Sequence, residues 1–192
     1  MMILNMRYPA GYKEQKRQEL LLSSAQLAKK QGFAATGIDG FMQAANMTSG
    51  AFYSHFSSKQ DLFKALVESE LQHSVQRWEN NPHKQPAAWI QFELDRYLNI
   101  MHVQHPENGC LLPALAGEIG HANEDIKSAC QQELMRGHAL FSKHLNSEEK
   151  AWAMISQLVG AVLIARAMTD PALQQMILNS NKNGMLELLK NT

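Results

Sequence analysis

The sequence predicts an all-helical fold in two parts, a small N-terminal unit of three helices over residues 1–60 and a larger helical domain over residues 61–192. Three observations carry this expectation. Apolar residues recur at three- and four-residue steps along most of the 192 residues, which is the spacing of one helix face. The stretch at residues 36–59, TGIDGFMQAANMTSGAFYSHFSSK, reads as two short helices about a tight turn. From Ala151 the run AWAMISQLVGAVLIARAM is apolar almost all round, as in a helix with partners on every side.

The first helix is expected over residues 13–31, with Leu20, Leu21, Ala25, Leu27 and Ala28 on its buried side and Gly32 ending it. Thr36 followed three residues later by Asp39 has the spacing of a capping box, so a second helix starts there and carries Ile38, Phe41, Met42 and Ala45 on one stripe. Asn46 tolerates the left-handed backbone of a tight turn. Thr48 can cap a third helix whose Phe52 and Phe56, four apart, face the core and leave Ser49, Gly50, Tyr53 and Ser54 on the other side. Ser57 and Ser58 announce a long helix from Asp61 to about Trp78. Residues 80–86, NNPHKQP, form a loop, and a helix resumes over residues 89–105 until PENG ends it. Helices then cover about 111–119 and 123–144. Ser147 caps the apolar run, with Glu148 and Glu149 opposing the positive end of its dipole. Asp170-Pro171 opens the last helix, which the breaker-rich stretch 179–184 kinks or stops.

The string Gly50-x-Phe52-Tyr53-x-His55-Phe56-x-Ser58-Lys59, with Gly32-Phe33, Thr36, Ala44-Ala45 and Gln60-Asp61-Leu62 around it, resembles the TetR/AcrR-type transcriptional repressors over residues 13–66. The resemblance implies an all-α homodimer. Its N-terminal three-helix helix-turn-helix domain would read a palindromic DNA operator, and its larger C-terminal helical domain would bind a small-molecule effector and dimerise through the last two helices. Carried over by position, Ser49, Gly50, Ala51, Tyr53 and Ser54 would face the major groove from a helix opened by Thr48, and Thr36, His55 and Lys59 would hold phosphates. Small hydroxyls and a glycine allow close approach to base edges, and a phenol reaches bases or backbone. Gly37, Asp39, Asn46 and Ala51 depart from the common pattern. Ala51 offers only apolar contact, as to a thymine methyl.

The net charge is zero, but its distribution is uneven. Residues 1–64 hold eight Lys or Arg against four Asp or Glu, and the remainder hold ten against fourteen. A basic N-terminal part suits phosphate binding. Two cysteines, Cys110 and Cys130, do not make a disulfide framework, and the reading is a reducing, cytoplasmic setting. The opening MMILNM is too short for a signal or a membrane span, and no later segment has an unbroken apolar run long enough to span a bilayer. There is no nucleophile elbow and no phosphate-cradling glycine loop, so the sequence does not read as an enzyme and calls for no cofactor.

Eleven methionines and three tryptophans suit an adaptable apolar cavity for an apolar effector. Its expected lining is Trp89, Phe92, Tyr97, Met101, Met135, His138, Phe141, Trp152 and Met154, each of which also fits plain core packing. Cys110, after a loop and before a helix, is a redox-sensing candidate, because amide dipoles there favour a reactive thiolate. The Gly-Cys-Leu segment also resembles a branch of the family in which a cysteine answers electrophiles or oxidants. His102 with His105, and Glu118 with His121, share a three-residue spacing but lack the dense Cys/His signature of a zinc site, so no metal is expected.

Overall fold

The computed structural model describes residues 11–190, with side chains through residue 187, and every regular element among them is a helix. The opening MMILNM therefore lies outside the described residues. The first helix, α1 (Tyr12–Gln31), buries Leu20, Leu21, Ala25 and Ala28 and closes at Gly32, whose φ of 86° is open to glycine without strain. The short α2 (Ile38–Ala44) buries Phe41 and Met42, and Asn46 turns the chain with φ 54°, as its side chain allows. A 3-10 helix, Ser49–Ser54, follows, with Phe52 fully buried and Phe56 just beyond it. Phe33 joins these pieces by stacking on Phe41 at 5.1 Å and on Phe63 at 4.1 Å.

Two capping expectations fail here. Gly37, not Thr36, caps α2, and Thr36 is buried with its hydroxyl donating to the Gly32 carbonyl at 2.7 Å. A Thr-x-x-Asp spacing serves either bond, and the bend after α1 takes the hydroxyl backward. Thr48 holds the extended cap backbone of the 3-10 helix, but its side chain makes no cap bond.

Helix α3 (Lys59–Glu79) is capped by Ser58, whose hydroxyl accepts from the Asp61 amide, and runs from the N-terminal unit deep into the larger domain. There it packs along α7 (Glu124–Leu145). Gly137 permits this approach, since a Cβ there would clash with the Trp78 ring. Helices α4 (Pro86–Tyr97), α5 (Ile100–Gln104), α6 (Leu112–Gly120), α8 (Glu148–Arg166) and α9 (Pro171–Lys190) complete the domain.

The helix expected over residues 89–105 is broken in two. Leu98 leaves helical geometry with ψ 65°, and Asn99 starts α5 by accepting from the His102 amide while donating to the Arg96 carbonyl. Conversely, α9 passes the 179–184 stretch without stopping. Asn181 donates to the Ile177 carbonyl and accepts from Gln157 of α8, and Lys182 pairs with Asp95 of α4. Asn181 bonds back to its own helix and to α8 at once, and Lys182 is drawn to α4, so neither side chain ends the helix. The apolar run forms α8, which buries Met154, Ile155, Leu158 and Val162 and leaves Leu163 and Ile164 more than half exposed; on α9, Met176 is 62% exposed. No helix among the described residues is long and apolar enough to cross a membrane.

Candidate functional site

Two regions combine chemistry with geometry, an exposed face on the N-terminal unit and a cavity in the larger domain. On the first, burial of Phe52 and Phe56 turns Thr48, Ser49, Gly50, Tyr53 and Ser54 outward, and Tyr53 is 70% exposed. Ala51 is half-buried against the core, and the Ser54 hydroxyl donates to the Ala51 carbonyl at 2.7 Å. Because the element is a six-residue 3-10 helix, its exposed side chains fan over a wider arc than on an α-helix. The residues expected to hold phosphates stand differently. Lys59 is half-buried and donates to the Ala34 carbonyl at 3.1 Å, with its ammonium 5.1 Å from the Phe33 ring centre. His55 is half-buried and held mainly neutral, because burial, then Lys13 and Arg17, lower its pKa. Thr36 is 6% exposed and its proton is committed to Gly32. Lys16 of α1 pairs with Glu19 at 2.5 Å, and Arg17 lies over the Phe56 ring at 4.6 Å.

The second region is a cavity of about 330 Å³ between α3, α4, α5 and the segment before α6. Its wall includes Arg77, Trp78, Arg96, Tyr97, Met101, His102, His105, Gly109 and Cys110, and the lining contains no carboxylate. His102 organises one side. Its Nδ1–H donates to the Tyr97 carbonyl at 2.8 Å, so its Nε2 is free to accept from the Cys110 amide at 3.0 Å. That arrangement requires the neutral ring, and burial is the main reason its pKa falls to about 4. Gly109 is obligatory beside it, because a Cβ would clash with the imidazole. Cys110 is 5% exposed at the surface yet lines the cavity, next to the Tyr97 hydroxyl, which burial pushes well above its usual pKa.

A pH dependence follows from His102. Its folded pKa lies below the unfolded value of 6.5, so below that pH the unfolded chain takes up a proton that the folded chain refuses. Stability is therefore lost as pH falls from 6.5 towards 4, by about 3 kcal/mol in all. Urea midpoints measured across that window should slope less steeply in His102→Gln than in the wild type; equal slopes would assign the loss to other groups.

One contact ties the cavity wall to the N-terminal unit. Lys29 of α1, with its side chain 4% exposed, donates to the Gly109 carbonyl at 3.1 Å and pairs with Glu70 of α3 at 2.6 Å. Nearby, the Glu118 carboxylate of α6 accepts from the amides of Phe33 and Ala34, gripping the end of α1.

Of the nine expected cavity residues, only Tyr97 and Met101 line this cavity. Phe141 is fully buried between Trp78 and Trp89, whose rings meet it edge-on at 5.3 and 5.0 Å, and Trp89 also stacks on His144 at 4.2 Å. His138 donates from Nε2–H to the Glu148 carbonyl at the α8 start, at 3.0 Å, and stacks on Trp152 at 4.3 Å. Phe92 lies against His83, Met154 is buried in the core, and Met135 is exposed on α7. Aromatic rings satisfy one another, and Trp89, His138 and Phe141 became core, while Trp152 stays exposed at its edge. His102 and His105, paired by spacing, part company, since His105 turns to Glu107 at 3.4 Å. Glu118 is likewise spent on backbone amides, and His121 is exposed. Sequence reasoning missed Arg77, Arg96, Lys29 and the wall role of His102. Their elements lie far apart in the chain, and no linear spacing joins them.

The profile described as "Bacterial regulatory proteins, tetR family" matches residues 20–66. The HTH-type transcriptional repressor NemR of Escherichia coli strain K12 is 28% identical over 139 residues, covering 68% of this chain and 67% of NemR. The crystal structure of the reduced form of E. coli NemR superposes with a TM-score of 0.77 at 23% identity, over 92% of this chain and 96% of that one. A TetR transcriptional regulator from Chloroflexus aurantiacus J-10-FL gives a TM-score of 0.79 at 19% identity, over 93% and 96%. At those identities the two structures speak to the fold alone.

Proposed function

Because the chain belongs to the TetR family of bacterial transcriptional regulators, proteins that bind DNA and are not enzymes, we propose that it is a repressor whose operator grip is set by the cavity at Cys110. The reading has residues 1–60 as the DNA-reading domain and residues 61–192 as the effector and dimerisation domain. A homodimer places two copies of the Ser49–Ser54 helix in successive major grooves of a palindromic operator, about 34 to 36 Å or a multiple apart. The exposed Leu163, Ile164 and Met176 on α8 and α9 supply the apolar surface for pairing.

The observation that carries the regulatory half is the Lys29 bridge. Whatever moves the 109–110 segment withdraws an acceptor from a buried ammonium that also holds α1 to α3. An effector releases DNA only if it binds the released arrangement more tightly than the operator-bound one. The second reading, modification of the Cys110 thiol, is favoured by that residue's place in the cavity wall, and the similar NemR structure is of a reduced form.

Binding of the purified protein to DNA from its own upstream region tests the proposal. Tyr53→Ala should weaken operator binding by about 1–3 kcal/mol at matched salt, because Tyr53 is 70% exposed and touches the core only through an edge-on contact with Phe52 at 5.3 Å. Unchanged binding would displace the 3-10 helix from the groove. Adding a thiol-reactive electrophile to wild type and to Cys110→Ser separates the two effector readings. Release in wild type alone assigns the response to the thiol, and release in neither leaves reversible ligand binding as the regulatory reading.

A further inference from the structure

We propose that the cavity takes a small organic anion with an apolar body, its acidic group held by Arg77, rather than a neutral apolar molecule. The inference rests on reading this cavity as the effector site and names the chemical class of its ligand.

Charge around the cavity is unbalanced. Arg77 and Arg96 both line it, and no Asp or Glu does. Arg96 is compensated from behind by the buried Glu93, to which its guanidinium donates. Among the described residues Arg77 has no such partner, and its hydrogen bond goes to the Ser74 hydroxyl at 3.1 Å. A third guanidinium stands behind the wall. Arg166 of α8 donates through Nη2 to the His102 carbonyl at 2.8 Å, packs against Gly109, and keeps Nε and Nη1 buried without hydrogen-bond partners. The Tyr97 hydroxyl is a further buried donor without one. His102 adds no charge of its own, being neutral, but it holds the Cys110 amide through its ring and Arg166 through its carbonyl.

A neutral ligand would leave the Arg77 nitrogens on the cavity wall without a counter-charge among the described residues. An anion offers them one, through charge-assisted and bidentate bonds that a lone neutral acceptor cannot match. A cationic ligand is disfavoured by the same field. The remaining wall suits an apolar body, since Trp78, Tyr97 and Met101 present rings and a flexible thioether. The volume lies near the small end of the usual range for ligand pockets, roughly 300–1,000 Å³, which points to a compact arylalkyl or short-chain carboxylate. Arg77 belongs to α3 and Gly109 to the segment that Lys29 holds, so an anion seated there touches both ends of the proposed coupling.

The test uses matched probes on the full chain. Isothermal titration should show 4-phenylbutyrate binding at least about tenfold tighter than 4-phenylbutanamide, a difference of about 1.4 kcal/mol. Arg77→Gln should erase that preference, and Arg77→Lys should retain part of it. Arg77 is exposed, so both variants should keep the wild-type melting temperature. Equal or tighter binding of the amide, a preference unchanged in Arg77→Gln, or no binding of the carboxylate at millimolar concentration would each overturn the proposal. Operator binding measured without probe keeps the readings apart. Operator binding without carboxylate binding sinks the anion alone, and carboxylate binding without recognition of upstream DNA sinks the repressor reading.

Discussion

Lys29→Met should lower the unfolding free energy by about 3–5 kcal/mol, since it strands a mostly buried Glu70 carboxylate and the Gly109 carbonyl. The comparison belongs at one protein concentration, because the proposed dimer would make apparent stability concentration-dependent. Lys29→Met/Glu70→Leu should recover much of the loss, as replacing both partners of a buried pair removes the uncompensated charge. The variant should also bind operator with a blunted response to any effector of the cavity. A stability change below about 1 kcal/mol would mean that the ion pair sits in a wetter place than its 4% exposure indicates.

Phe141→Ala should cost about 3–5 kcal/mol in urea or thermal unfolding, the range for emptying a fully buried aromatic site. Phe141 stands between Trp78 and Trp89, and Gly137 one turn earlier lets Trp78 approach α7, so neighbouring rings have little freedom to fill the space. Carboxylate binding in the cavity should weaken only as far as Trp78 shifts. If the variant kept its stability but lost ligand, Phe141 would return to the binding site and the core assignment would fall.

How far these features could be read in advance depended on distance along the chain. The Ser49–Ser54 segment was legible as helical because Phe52 and Phe56 decide its buried side within five residues, and the string around them is specific, but its 3-10 winding and its end before Phe56 were not. Asn46 was legible because its left-handed backbone is a local property. Thr36 was not, since its hydroxyl chooses between accepting from an amide of the next helix and donating to the Gly32 carbonyl only once the bend after Gly32 is formed. The break at Leu98 was hidden inside an apolar stripe, and Asn99 decides it by capping α5. Composition identified many rings and thioethers but could not say which would meet one another. Trp89, Phe141 and Trp152 found aromatic or imidazole neighbours, and the cavity was left to Arg77, Arg96 and His102. Those residues lie in α3, α4 and α5, and only packing of the domain assembles them.

The burial of Lys29 also fixes how gradual a response can be. An ammonium with 4% exposure cannot slide away from the Gly109 carbonyl in small steps, because each position between one acceptor and the next leaves one of its N–H donors buried without an acceptor, even with Glu70 still paired. Such a group costs about 1–3 kcal/mol or more, so halfway arrangements are rarer than either end state by a factor of roughly 5 to 150. A population titrated with effector would therefore divide into two kinds of molecule, with dose changing their proportion and not the posture of each. Spectra recorded along such a titration should share isosbestic points.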